Sequence, residues 1–138
     1  MQRSPKRFDL ARFFAALSEH IRLRLLNLMG GREVCVCYFV EILGQSQPKI
    51  SRHLAYLRGA GNVSARREGK WMHYRIVAPP HAGAAEILRQ TLAALNQEKA
   101  MQADRVRLDK ACCGMTRITA LEGAPAPKPV ETLPCEVC

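Results

Sequence analysis

The stretch Ser46-Gln47-Pro48-Lys49-Ile50-Ser51-Arg52-His53-Leu54 decides the fold. Ser46 is a helix N-cap, because a hydroxyl there accepts from a backbone N–H of the first turn. Pro48 falls inside that turn, where a missing N–H costs little. Ile50, Leu54 and Leu57 follow at i, i+4 and i+7, an inward apolar stripe. Lys49, Ser51, Arg52, His53 and Tyr56 occupy other angles of the helix, and Gly59 and Gly61 close it.

Upstream, residues 36–43 are apolar enough for a short helix that stops at Gly44. Residues 8–29 read as two helices. Phe14, Leu17, Ile21, Leu25 and Leu28 recur at spacings of three and four, Ser18 caps the second helix, and Gly30-Gly31 ends it. Downstream, residues 63–68 and 71–77 read as two strands around Glu68-Gly69-Lys70, with Trp71, His73 and Arg75 alternating with Met72, Tyr74 and Ile76. Residues 82–110 return to a helical pattern along Leu88, Leu92 and Leu95. Ala124 to Pro129 alternates with proline and predicts an extended, polyproline-like spacer.

This order predicts a mainly α fold with a small β-hairpin wing, a winged helix-turn-helix of order ααααββα. Residues 1–110 would form the DNA-binding domain, and 111–138 a flexible tail containing cysteines. The second helix of such a unit enters the major groove, and the ribbon lies over nearby phosphates.

The charge agrees. The chain carries a formal +9, and residues 1–80 hold 14 Lys/Arg against 5 Asp/Glu, whereas residues 81–138 balance. A one-sided basic domain attracts a polyanion. At 138 residues the chain suits one compact domain. No run approaches the ~18 apolar residues of a membrane helix. No apolar h-region follows the basic N-terminus, so no export signal and no membrane association are expected, and the location is read as cytoplasmic.

The 46–54 segment resembles the recognition-helix signature of the ArsR/SmtB winged-helix repressors. Arg66-Arg67-Glu68-Gly69-Lys70-Trp71 and Tyr74-Arg75-Ile76 resemble the family's wing. Leu17 to Leu26 is similar to its first-to-second helix junction, with Glu19-His20-Ile21 in place of the usual Asp-Pro-Thr. The resemblance covers residues 10–80. It implies a homodimer on an inverted repeat of double-stranded operator DNA, repressing until an inducer binds. On that reading Ser46, Gln47, Lys49, Ser51, Arg52, His53 and Tyr56 meet DNA from the helix. Arg66, Arg67 and Lys70 meet it from the wing.

Glu33-Val34-Cys35-Val36-Cys37-Tyr38 resembles the Cys-Val-Cys box of the arsenic- and cadmium-responsive members. Two departures stand out: Tyr38 replaces the usual Asp, and Val40 stands where a third cysteine would be. Cysteines at i and i+2 point to opposite sides of a regular helix. They share an ion only at a turn or helix start, or by unwinding the helix. As(III) or Sb(III) prefers three thiolates in a trigonal pyramid, and Cd(II) or Pb(II) would accept a similar sulfur-rich site. Cys112-Cys113 resembles C-terminal arsenic sites of other branches, so Cys35, Cys37, Cys112 and Cys113 are the expected ligands. Cys135 and Cys138 form a C-x-x-C at the tail's end, either a further ligand source or dispensable. Sensors of this family that bind zinc, nickel or cobalt place His and carboxylates on the last helix. This chain has no histidine after His81.

Three other classes are weighed. A redox or persulfide sensor of the same fold would oxidise the paired cysteines. A small cysteine oxidoreductase would need a strand-to-helix setting for Cys135-x-x-Cys138, which the proline-rich tail does not supply. A metalloid carrier would need the thiols but not the recognition helix. No catalytic constellation is read, and no enzyme is expected.

Overall fold

The structure is a computed structural model that describes residues 7–113 and 121–130. The elements run α1 (Leu10–Leu17), α2 (His20–Met29), β1 (Arg32–Cys35), α3 (Val36–Leu43) and α4 (Gln47–Gly59). Then follow β2 (Val63–Glu68), β3 (Trp71–Ile76), α5 (Ala82–Leu95), α6 (Lys99–Cys113) and β4 (Lys128–Pro129). Phe13, Leu25, Leu26, Leu28, Met29, Phe39, Ile50, Leu54 and Leu57 are fully enclosed and form one core with Ile76 and Leu88.

Helix α4 begins as its sequence dictates, with Ser46 Oγ accepting from Lys49 N–H at 3.4 Å. Gly44 ends α3 in the left-handed region at φ +64°. That conformation favours glycine, and it lets the chain turn sharply from α3 into α4.

Several local expectations need correction. Phe14 is 48% exposed, and Phe13 takes the inward place. Glu19, not Ser18, caps α2 and accepts from Arg22 N–H at 2.9 Å, while Ser18 Oγ donates back to the Ala15 carbonyl that closes α1. The 82–110 pattern is two helices, broken at Asn96-Gln97-Glu98, and Gln102 and Arg105 donate to the Asn96 carbonyl across the break. Leu88 and Leu95 are buried, Leu92 half-buried.

The wing is larger than a hairpin. The sheet runs β2-β3-β1-β4, with β1 antiparallel to β3 through Val34↔Tyr74 and Cys35↔His73. The 124–130 segment, read as a spacer, lies along the other edge of β1, pairing Arg32 with Pro129 and Glu33 with Lys128. Val130 N–H donates to the Gly31 carbonyl at 3.0 Å, and the Tyr38 hydroxyl lies 3.5 Å from the Ala124 carbonyl. A free edge of β1 offers unpaired N–H and C=O groups, and an extended segment satisfies them. Pro129 is tolerated because the segment is itself an edge.

Candidate nucleic-acid interface and thiol site

At the start of α4, Gln47 and Arg52 are exposed and Lys49 and Ser51 half-buried. Ser51 continues into a groove between α4 and the sheet, lined by Ala55, Arg58, Gly59 and Tyr74. Arg58 was missed by the sequence reading, although its i+7 spacing from Ser51 places it on the same face.

His53 and Tyr56, expected against DNA, face α2. The Arg22 guanidinium donates from Nε to the Ala16 carbonyl and from Nη2 to Ala15, both at 2.9 Å. Its Nη1 lies 3.3 Å from His53 Nδ1, and its Cζ sits 4.4 Å from the Tyr56 ring centroid. Glu19 Oε2 is 3.7 Å from the same imidazole nitrogen. Burial holds the His53 pKa below its ordinary value, only partly opposed by Glu19. Arg22 thus ties the end of α1 to the middle of α4. Sequence reasoning missed it because its partners are two backbone carbonyls and two side chains more than 30 residues further along the chain, which no local pattern reveals.

The wing cations separate into two kinds. Arg67 donates to the Gly69 carbonyl at 3.1 Å, and Lys70 Nζ lies 5.0 Å from the Trp71 ring centroid. Both flank the hairpin tip, where Gly69 adopts φ +59°. Arg66, expected on phosphate, forms ion pairs with Glu33 at 2.5 Å and Glu68 at 3.1 Å. Glu33 is 9% exposed, and the Arg66 guanidinium holds its carboxyl below the usual carboxylate range. His73, whose alternation also allowed an exposed strand position, is 3% exposed.

Cys35 ends β1 and caps α3; Cys37 stands in the first turn of α3. Their sulfurs are 3.2 Å apart, with Cys37 donating to Cys35. The helix start therefore needs no unwinding to bring them together. Cys35 sits in the extended N-cap conformation, φ −69° and ψ 143°, which turns its side chain toward the first turn. Donation from the Cys37 thiol lowers the Cys35 pKa to about 7. Burial opposes this, and the N–H groups of Cys37 and Val36 add to it. The Cys37 thiol is pushed up, since losing its proton would break that hydrogen bond and place a second, half-buried anion beside the first.

Two sulfurs on one ion at metal–sulfur distances of about 2.3 Å lie at most ~4.6 Å apart, so the pair fits a thiophilic ion as it stands. The described residues contain no group of three His, Cys, Asp or Glu able to hold a metal. Cys112, in the last turn of α6, directs its thiol at the Asp109 carbonyl, 3.5 Å away. The Cys113 side chain, Cys135 and Cys138 lie outside the described residues.

The family model "Bacterial regulatory protein, arsR family" matches residues 19–65, the span from the α2 cap into the wing. A Pseudomonas putida protein named "Arsenic resistance transcriptional regulator ArsR2" is 39% identical over 108 residues, covering 72% of this chain and 94% of that protein. This chain belongs to the arsR family of bacterial regulatory proteins. An Escherichia coli "Arsenical resistance operon repressor" is 46% identical over 76 residues, covering 54% of this chain and 65% of that one. Among solved structures, the "AntR antimony-specific transcriptional repressor" matches with TM-score 0.50 and 27% identity, over 67% of this chain and 80% of that one. These arsR-family relatives are transcriptional regulators, not enzymes, and the winged helix-turn-helix is the fold they share. No helix among the described residues is long and apolar enough to cross a membrane.

Proposed function

We propose that this chain is a cytoplasmic, homodimeric repressor that binds an inverted-repeat operator and releases it when As(III) or Sb(III) binds Cys35 and Cys37. The observation that carries the reading is the 3.2 Å thiol pair at the β1–α3 junction. One end of that junction feeds the sheet, and the other starts the helix packed against α4. The names of the relatives, arsenical and antimony-specific, point to the same class of inducer.

In this reading Gln47, Ser51 and Arg52 read bases. Ser46, Lys49, Arg67 and Lys70 meet phosphate and fix register. Arg22, His53 and Tyr56 hold the angle of α4. The two thiols supply two donors, and Cys112 or Cys113 is the proposed source of a third. Cd(II) and Pb(II) are alternative ions for the same sulfur set. Ion and DNA oppose each other by a coupling of about 1–3 kcal/mol, and by reciprocity operator weakens ion binding by the same factor.

The test is dissociation of fluorescent operator from reduced protein by As(III), Sb(III), Cd(II), Pb(II), Zn(II) or peroxide. Cys35→Ser and Cys37→Ser should bind operator near normally and fail to release it. Normal release from both, with loss in Cys112→Ser or Cys113→Ser, would move the sensing site to the end of α6. The lowered Cys35 pKa beside a thiol donor also favours a redox-sensing reading. Release by peroxide but by none of the ions would select it.

A further inference from the structure

The sheet places Arg66, His73 and Cys35 side by side on one face: Arg66 pairs with His73 across β2–β3, and His73 with Cys35 across β3–β1. Glu33, two residues before Cys35, shares that face, because strand side chains alternate. Strands β2 and β1 are not hydrogen-bonded to each other; β3 lies between them. The Arg66 guanidinium crosses that gap. Its Nη2 and Nε reach Glu33 Oε1 at 2.5 and 3.1 Å, and its Nη1 reaches Glu68 at 3.1 Å. Beneath this bridge His73 is 3% exposed, its Nε2 accepting and donating no hydrogen bond.

An arginine on a wing would ordinarily be assigned to phosphate. Here the partner decides otherwise. Glu33 is more than nine-tenths buried, and Arg66 is its one ion-pair partner among the described residues. Were Arg66 to swing onto DNA, it would leave a buried carboxylate unpaired, which costs more than an exposed phosphate contact returns. Arg67 and Lys70 carry no such obligation.

We propose that Arg66 is a positioning residue rather than a DNA ligand: with Glu33 it braces the wing to the strand that ends in Cys35, and through this brace the thiol pair sets the wing against DNA. The second half rests on the reading that Cys35 and Cys37 take the inducer. Glu33 and Cys35 are alternate residues of a four-residue strand, so when an ion held by the pair is drawn toward its third donor, Cys35 moves with it, and so do Glu33, Arg66 and β2. Recognition helix and wing then leave the DNA together.

The experiment compares Arg66→Gln, Glu33→Gln, their double variant and Arg67→Ala by operator affinity across salt, with and without arsenite. Arsenite binding itself is followed by ultraviolet thiolate–arsenic absorption. Each brace variant should weaken operator binding about 5–10-fold with an unchanged salt slope, and the double variant should be no weaker than either single. Arg67→Ala should flatten the slope by about one. In the brace variants arsenite should still bind, while the ratio of operator affinities without and with it falls severalfold toward one. If Arg66→Gln flattens the slope by about one while Glu33→Gln leaves affinity intact, Arg66 is a phosphate contact and the brace is refuted. An intact release ratio in both refutes the coupling. Should Glu33→Gln fail to fold, Arg66→Gln against Arg67→Ala still decides, since Arg66 is exposed. If arsenite neither binds nor releases the unaltered protein, the inducer assignment fails, whereas affinity and slope still judge the brace.

Discussion

Cys35 and Cys37 show how two identical side chains acquire opposite character from two residues of chain. Cys35 stands where β1 ends, facing the unsatisfied N–H groups of a helix start, and accepts a hydrogen bond from the Cys37 thiol. Cys37 must keep the proton it donates. A thiolate is the metal-binding form, so Cys35 is ready at neutral pH, and Cys37 ionises only as an ion displaces its proton. Ultraviolet thiolate absorbance should therefore rise with a midpoint near pH 7 and lose that step in Cys35→Ser. Stability follows with a definite sign. Between the lowered Cys35 value and the ordinary cysteine range the unfolded chain binds more protons, so stability rises from about pH 7. Above the ordinary range the folded state retains the Cys37 proton that the unfolded chain loses, and stability falls again. A Cys37→Ser variant, whose hydroxyl still donates but does not titrate in this range, should keep the rise and lose the fall.

At the scale of elements, the parts legible in the sequence are those whose signal is local. The Ser46 cap, the Ile50-Leu54-Leu57 stripe, the Gly44 stop and the Gly69 turn each follow from a few neighbouring residues, and α4, α3 and the β2–β3 hairpin fall where those residues put them. What stayed hidden needed partners far along the chain. β1 is four residues long and is a strand only because β3 and the 128–130 segment pair with it. Without β1 there was no edge for residues 128–130 to join, so a proline-rich run read as a spacer. The break between α5 and α6 carries neither proline nor glycine, so Asn96-Gln97-Glu98 holds no residue that punctuates a helix. Asp104, nine-tenths buried and bonded to Arg24 at 2.7 and 3.0 Å, fixes α6 onto α2 by a contact 80 residues apart. The α1–α2 junction shows the same limit in small. Ser18 and Glu19 are both able caps, and Glu19 wins because its carboxylate reaches Arg22 N–H while staying near Arg22 and His53. Glu19→Ala should cost about 1 kcal/mol, a loss of roughly 4 °C in Tm. Burial raises the Glu19 pKa, but the N–H groups of Arg22 and Ile21 outweigh it and hold the carboxyl below its ordinary value. The contribution is thus present above the ordinary Glu range and lost as pH falls from that range through the lowered folded value. Thermal melts should show the variant's deficit at pH 7 shrinking below about pH 4.

At the scale of the whole molecule, one copy is incomplete for its proposed task. A single recognition helix reads only a few base pairs, and two-fold symmetry doubles the contacts while fixing half-site spacing. The surface carries a feature suited to that symmetry. Leu10 and Phe14 are 41% and 48% exposed on α1, at i and i+4 and therefore on one face. A two-fold contact would set this face against its own copy. Covering the exposed half of one Phe14 side chain is worth about 0.7–1.5 kcal/mol, and symmetry counts it twice, giving about 1.5–3 kcal/mol for the dimer. Phe14→Glu should then weaken self-association by a factor of about 10–10² or more, read by analytical ultracentrifugation. The monomer should keep its fold, since Phe13 rather than Phe14 fills the core. On DNA the two properties separate. Binding to an isolated half-site should change little, because Gln47, Ser51 and Arg52 are untouched, whereas the advantage of the inverted repeat over the half-site should disappear. A dimer that survives Phe14→Glu at micromolar concentration would place the two-fold contact elsewhere than α1, with Val106, 50% exposed on α6, the next apolar residue to substitute.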